Sequence, residues 1–92
     1  MPTHVKPTIG RIVLYRGKLG LHAMRAAVIS CTVDTLEADG VAGGMIPNLD
    51  DQDHVHLHVF TPSSLGFFVE YNVPRAAGPV IQPGEWAWPP RV

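Results

Sequence analysis

The stretch His54-Val55-His56-Leu57-His58-Val59-Phe60 places three imidazoles at alternate positions, and Asp50, Asp51 and Asp53 stand just before it. On a β-strand, residues two apart share a face, so His54, His56 and His58 would form a row stepping by about 7 Å, twice the strand rise. Two imidazoles so arranged, completed by carboxylates from a neighbouring element, can hold zinc. The same groups donate hydrogen bonds and change charge near neutral pH. No recognised ligand spacing accompanies the row. The expectation is the solvent face of a half-buried strand with no metal, and an interface or ligand pocket is the other use of that face.

Arginines and aromatic rings form a second set. Arg11 and Arg16 flank the first apolar segment, Lys18 follows, Arg25 opens the next segment, and Arg75 and Arg91 lie towards the C-terminus. A guanidinium presents a planar fork that gives a phosphate two parallel charge-assisted hydrogen bonds. Tyr15, Phe60, Trp86 and Trp88 could offer faces on which bases stack, at ~1–3 kcal/mol each. Such parts suit a small anionic, nucleotide-like ligand. Against this, arginines also solubilise strand ends, and at least one indole of Trp86-Ala87-Trp88 is expected in the core or an interface.

Catalysis finds less support. Ser30, Ser63, Ser64, the aspartates and the histidines could compose a triad on paper, but no nucleophile elbow or other local signature arranges them. Cys31 falls in the apolar column of its segment and reads as an inert core thiol. Glu70 and Glu85 are isolated. The glycine-rich run at 40–44 lacks the lysine and helix of a phosphate-binding loop. The chain is expected to be no enzyme, with no catalytic residues and no cofactor.

The elements that must position these groups are strands. Nine glycines and nine prolines in 92 residues punctuate nearly every window, leaving little at helical spacing. Residues 9–15 read as a first strand, with Arg11, Val13 and Tyr15 on one face and Ile12 and Leu14 on the other. Residues 16–22 read as a loop. Residues 24–33 read as a second strand, with Ala27, Ile29, Cys31 and Val33 as its apolar face. A long acidic and glycine-rich loop covers 34–53, with room for a helical turn near 34–38. The histidine strand (54–60), a turn (61–66), a strand at 67–73, a second loop (74–84) and a terminal strand around Trp86 and Trp88 complete the chain. This order predicts an all-β single domain over residues 1–92: a small antiparallel SH3-like barrel of about five strands with long loops.

Bulk properties set the remaining bounds. The net charge of −1 argues against coating duplex nucleic acid, which needs a strongly basic face. No apolar run approaches the ~18 residues of a membrane span. One cysteine and no secretory signal predict a reducing, cytoplasmic setting. A core this small is often supplemented by self-association, so a homo-oligomer is expected.

Four blocks carry a family resemblance: residues 9–16 (IGRIVLYR), 25–29 (RAAVI), 54–60 (HVHLHVF) and 83–92 (PGEWAWPPRV). In this order they resemble a group of small tailed-phage and prophage proteins with the pattern G-R-I-V-x-Y, A-A-I-V, V-x-L-x-V-F and P-G-x-W-x-W-P. The resemblance spans about half the chain, and its terminal block is the most specific. The acidic insert at 34–53 departs from the pattern. The resemblance implies a phage origin without fixing an activity. By analogy with other small phage oligomers, it points to a sponge sequestering a cyclic nucleotide immune signal in the host cytoplasm. Arg11, Tyr15, Arg16, His56, Trp86 and Arg91 would then bind the ligand. The alternatives are a virion adaptor or decoration protein, and a protein-protein inhibitor of a host enzyme.

Overall fold

The computed structural model describes residues 5–17, 24–61 and 66–90. Five strands form one antiparallel sheet: β1 (Ile12–Arg16), β2 (Met24–Cys31), β3 (Val55–Phe60), β4 (Phe67–Val73) and β5 (Trp86–Ala87). Their spatial order is β4-β3-β2-β1-β5. The fold is therefore mostly β. The expected loops at 16–22 and 61–66 fall largely outside the described residues.

β-Branched and aromatic residues dominate the strands, as a pleated, partly buried surface favours. Val13 and Tyr15 of β1, Ala27 and Ile29 of β2, Val55, Leu57 and Val59 of β3, Val73 of β4 and Trp86 of β5 all turn to the inner face and form a single core. Burying each large aliphatic side chain among them contributes roughly 1.5–3 kcal/mol relative to exposure.

β1 begins at Ile12, later than the expected residue 9. A turn at Ile9–Gly10 intervenes, with Gly10 at φ 85°, a backbone region costly for residues bearing a Cβ. β2 is shorter than expected for another reason. Its register against β3 shifts between Ile29 and Cys31, and a bulge turns the alternation by one position. Thr32 consequently takes the buried place while Cys31 is half-exposed. The assignment of Cys31 and Val33 to the apolar column is thus corrected.

The insert 34–53 contains one short helix, α1 (Ala38–Ala42), displaced from the expected turn near 34–38. Residues 33–35 instead form a turn in which the Thr35 N–H donates to the Thr32 carbonyl at 3.0 Å. A Cβ at Gly40 would collide with the Ile46 side chain, which packs over the helix.

Beyond β4 the chain stays beside the sheet. The Trp86 N–H donates to the Pro74 carbonyl at 3.0 Å, and the Ala76 N–H donates to the Trp86 carbonyl at 2.8 Å. β5 is also paired with β1 through Leu14–Ala87 and Tyr15–Trp86. The short terminal strand is therefore bonded on both sides, which explains how two residues hold their place.

Candidate functional site

The structure describes five of the six residues expected to bind a ligand, and it pairs Tyr15 with Trp86 across β1 and β5. Tyr15 and Trp86 are fully buried and His56 is 3 % exposed, so the protein itself covers their ring faces. Arg11 is exposed and lies over the Trp88 ring, 5.4 Å from its centroid. Arg16 is half-buried and donates from Nη1 to the Ile81 carbonyl at 2.8 Å. Arg91 lies outside the described residues.

The paired indoles divide their work. Trp86 is inside the core, its Nε1–H donating to the Asp53 carbonyl at 2.9 Å. Trp88 is partly buried and meets Trp86 edge-to-face, with centroids 5.3 Å apart and planes at 90°. The Arg75 guanidinium sits 5.3 Å from the Trp86 ring centroid, donates to the Val5 carbonyl at 2.9 Å and stands 3.7 Å from Asp53. Tyr15 is held as the neutral phenol. Burial, and then the Glu70 carboxylate beside it, push its pKa up to about 12, because both oppose a phenolate charge.

The three histidines have three environments rather than one shared row. His54 Nδ1 is 2.7 Å from Asp51 Oδ1. That oxygen also accepts the backbone N–H groups of Asp53 and His54, at 2.9 and 3.0 Å. Hydrogen bonding from His54, followed by these backbone donors, lowers the Asp51 pKa. His56 is buried between backbone groups: its Nδ1 accepts the Asn72 N–H at 3.0 Å. Nε2 therefore carries the proton and donates to the Pro47 carbonyl at 2.7 Å. Asn72 adds a second tie, its Oδ1 accepting the Asp50 N–H at 3.0 Å. His56 and Asn72 thus latch residues 47–50 of the long insert onto β3 and β4. Asn72 occupies the left-handed region at φ 52°, beside the register shift between β3 and β4. His58 alone of the three is exposed, and it stacks on Phe67 at 5.8 Å. The expected solvent-facing row is corrected accordingly. No group of three or more His, Cys, Asp or Glu side chains suited to a metal occurs among the described residues.

The chemistry-bearing surface lies on the other side of the sheet. Ile12 pairs with Val28, Leu14 with Ala26 and Arg16 with Met24. Val28 continues to His58, His58 to Val69 and Phe60 to Phe67. Ala87 stands opposite Leu14. These positions alternate with the core residues and therefore share the outer face. Ile12 is 62 % exposed, Phe67 58 %, and Met24 and Phe60 48 % each. The result is an apolar face running across all five strands; among the residues just named, Arg16 and His58 are ionisable and none carries a carboxylate. At its β5 end it opens into a cavity of ≈ 560 Å³ lined by Leu14, Arg16, Met24, Ile81 and Trp88 among others.

The signal for this face is present in the sequence. Ile12 and Leu14 are as apolar as Val13 and Tyr15, and Phe67 and Val69 sit in a strand whose inward position is held by Glu70. A single sheet with one core can bury only one of two apolar columns. No protein-family model, curated protein or solved structure matches this chain.

Proposed function

We propose that this chain is a non-catalytic, phage-encoded binding protein that works by protein–protein contact through the outer face of its sheet. The observation that carries the reading is the apolar surface that the paired strand residues form across β5, β1, β2, β3 and β4. Contiguous exposed apolar patches beyond a few hundred Å² are uncommon on monomeric proteins and mark interaction sites. A virion adaptor or decoration protein uses such a surface, and so does an inhibitor seated on a host enzyme. The phage origin rests on the four sequence blocks.

The fold assigned here is a small SH3-like barrel. The terminal segment supports closure because the Glu85 carbonyl accepts the Arg16 N–H of β1 on one side while the Trp86 backbone bonds to residues 74 and 76 on the other.

The test uses a double variant, Ile12→Glu with Phe60→Glu. Ile12 and Phe60 are both exposed outside the core, so folding should change little. Wild type and variant are used in parallel to capture proteins from phage particles and from infected cells. The reading expects a specific protein, identified by mass spectrometry, with wild type and its loss with the folded variant. Equal recovery on both would count against the outer face.

Sequestration of a small anionic nucleotide-like ligand in the host cytoplasm is the second reading. It is favoured by Arg16 and Trp88 lining one groove, with Arg11 lying on Trp88. Ligand at 100 times its dissociation constant stabilises by about 2.7 kcal/mol, a Tm rise of roughly 10 °C or more in a domain of this size. A flat response to cyclic dinucleotides and cyclic ADP-ribose isomers at millimolar concentration would remove it.

A further inference from the structure

The sheet ends at β4, a seven-residue strand that carries Phe67, Phe68 and Tyr71, all exposed. Edge strands in natural proteins are usually blunted by lysine, proline, bulges or shortness, because their unpaired backbone groups template another strand. Here the bulge and Asn72 disrupt only the far end, and the single charge, Glu70, points inward towards Tyr15. Residues 67–69 carry none of these defences.

The hydrogen-bond parity of this edge follows from its hairpin. The Thr61 N–H donates to the Gly66 carbonyl at 2.8 Å, which makes 61 and 66 a hydrogen-bonded pair. Antiparallel pairs alternate. Val59 and Phe68 are therefore also hydrogen-bonded, whereas Phe60–Phe67 and His58–Val69 are not. Phe67 and Val69 consequently turn their N–H and C=O groups away from β3, and no backbone partner receives them among the described residues.

We propose that this edge pairs with the same edge of a second copy of the chain, antiparallel, about a two-fold axis at Phe68. In this register Phe68 meets the partner's Phe68, and Phe67 and Val69 exchange about four N–H···O bonds with the partner's Val69 and Phe67, two per hydrogen-bonded pair. An antiparallel strand paired with itself is self-complementary, which is what a two-fold interface requires. The register also suits the charges. The two Glu70 residues end up four positions apart, each beside the partner's Gly66, so no like charges face each other. It covers Phe68, an inner-face ring left 36 % exposed at the margin of the core. Phe67 beside the partner's Val69 would carry the outer apolar surface across the axis. The dimer would then present two binding faces side by side. This inference stands on the edge alone and does not depend on what the outer face binds.

The test is the oligomeric state of the whole chain by light scattering and native mass spectrometry at ~100 µM, since a two-strand contact falls in the small, weak class of interfaces. The expected result is a dimer. Val69→Pro deletes an edge N–H at a position where strands tolerate proline, and Phe67→Lys installs an edge charge; each should yield monomer. Phe68→Cys adds a positive readout. The axis places the two residues in a non-hydrogen-bonded pair with Cα atoms about 4.5 Å apart, within disulfide range. Mild oxidation should cross-link it well beyond wild type, whose Cys31 serves as the control. Monomer at ~100 µM, with or without another protein on the edge, overturns the proposal. So does a dimer that survives both Val69→Pro and Phe67→Lys, or a Phe68→Cys chain that cross-links no more than wild type.

Discussion

Replacing Trp86 with Phe should destabilise this protein far more than replacing Trp88 with Phe, although the two residues are neighbours in sequence and in space. Trp86 is fully buried and its Nε1–H satisfies the Asp53 carbonyl. Phe in its place removes about 40 Å² of ring surface from the core, worth about 1 kcal/mol at ~25 cal/mol per Å². It also strands a carbonyl oxygen, costing about 1–2 kcal/mol. The sum is roughly 2–3 kcal/mol. A domain of this size loses about 4–8 °C of Tm per kcal/mol, so the expected fall is roughly 10–20 °C. Trp88 is only partly buried, and its Nε1 has no hydrogen-bond partner among the described residues. Its replacement forfeits ring contact alone, about 1 kcal/mol or less. Thermal unfolding followed by far-ultraviolet circular dichroism measures both without relying on indole fluorescence. Equal losses, or a larger loss at Trp88, would refute the division of the pair into a core ring and a rim ring.

Three further perturbations have definite outcomes. His56→Leu leaves the Pro47 carbonyl and Asn72 N–H without their partner; it should cost roughly 2–4 kcal/mol and speed limited proteolysis within residues 43–53, and unchanged cleavage there would deny the latch. Asp51 has a folded pKa below its unfolded value, so its contribution is present above about pH 4 and is lost as pH falls through the depressed pKa. Tm measured from about pH 2.5 to 7 should therefore slope less in Asp51→Asn than in wild type, and identical slopes would contradict the turn geometry. Tyr15 has the opposite sign: its folded pKa is raised from 10.0 to about 12. Its contribution is full below pH 10 and declines as pH rises towards 12, so Tyr15→Phe should lose less stability over that interval than wild type.

Much of the fold is legible in the sequence because period-two alternation is local. Val55, Leu57 and Val59 face the core as their spacing requires, β4 spans the residues expected of it, and one indole is buried. The misreadings share a physical cause: each depends on where a strand meets a partner. The bulge after Ile29 that buries Thr32 rather than Cys31 is a property of the β2–β3 register, which the sequence of β2 alone does not contain. The three histidines look equivalent on an isolated strand. They diverge because the insert folds back onto β3, bringing Pro47 to His56 and Asp51 to His54. Tyr15 and Trp86 present the same limit in reverse. An aromatic ring suits a stacking platform and a core equally well, and only their pairing between β1 and β5 over the inner face decides it. The outer apolar column was open to inspection in Ile12, Leu14, Phe67 and Val69. It acquires meaning once one sheet with one core is established.

The central claim, that the outer face is where this protein meets another, is tested most directly by site-specific photo-cross-linking in the producing cell. A photoreactive phenylalanine would be placed at Phe60 or Ile12 on that face, and at Met45, which is equally available at 83 % exposed but lies on the insert. Adducts to one and the same protein from positions 60 and 12, with none from 45, are the predicted result. Adducts from 45 alone, or none from either outer-face position, would contradict it.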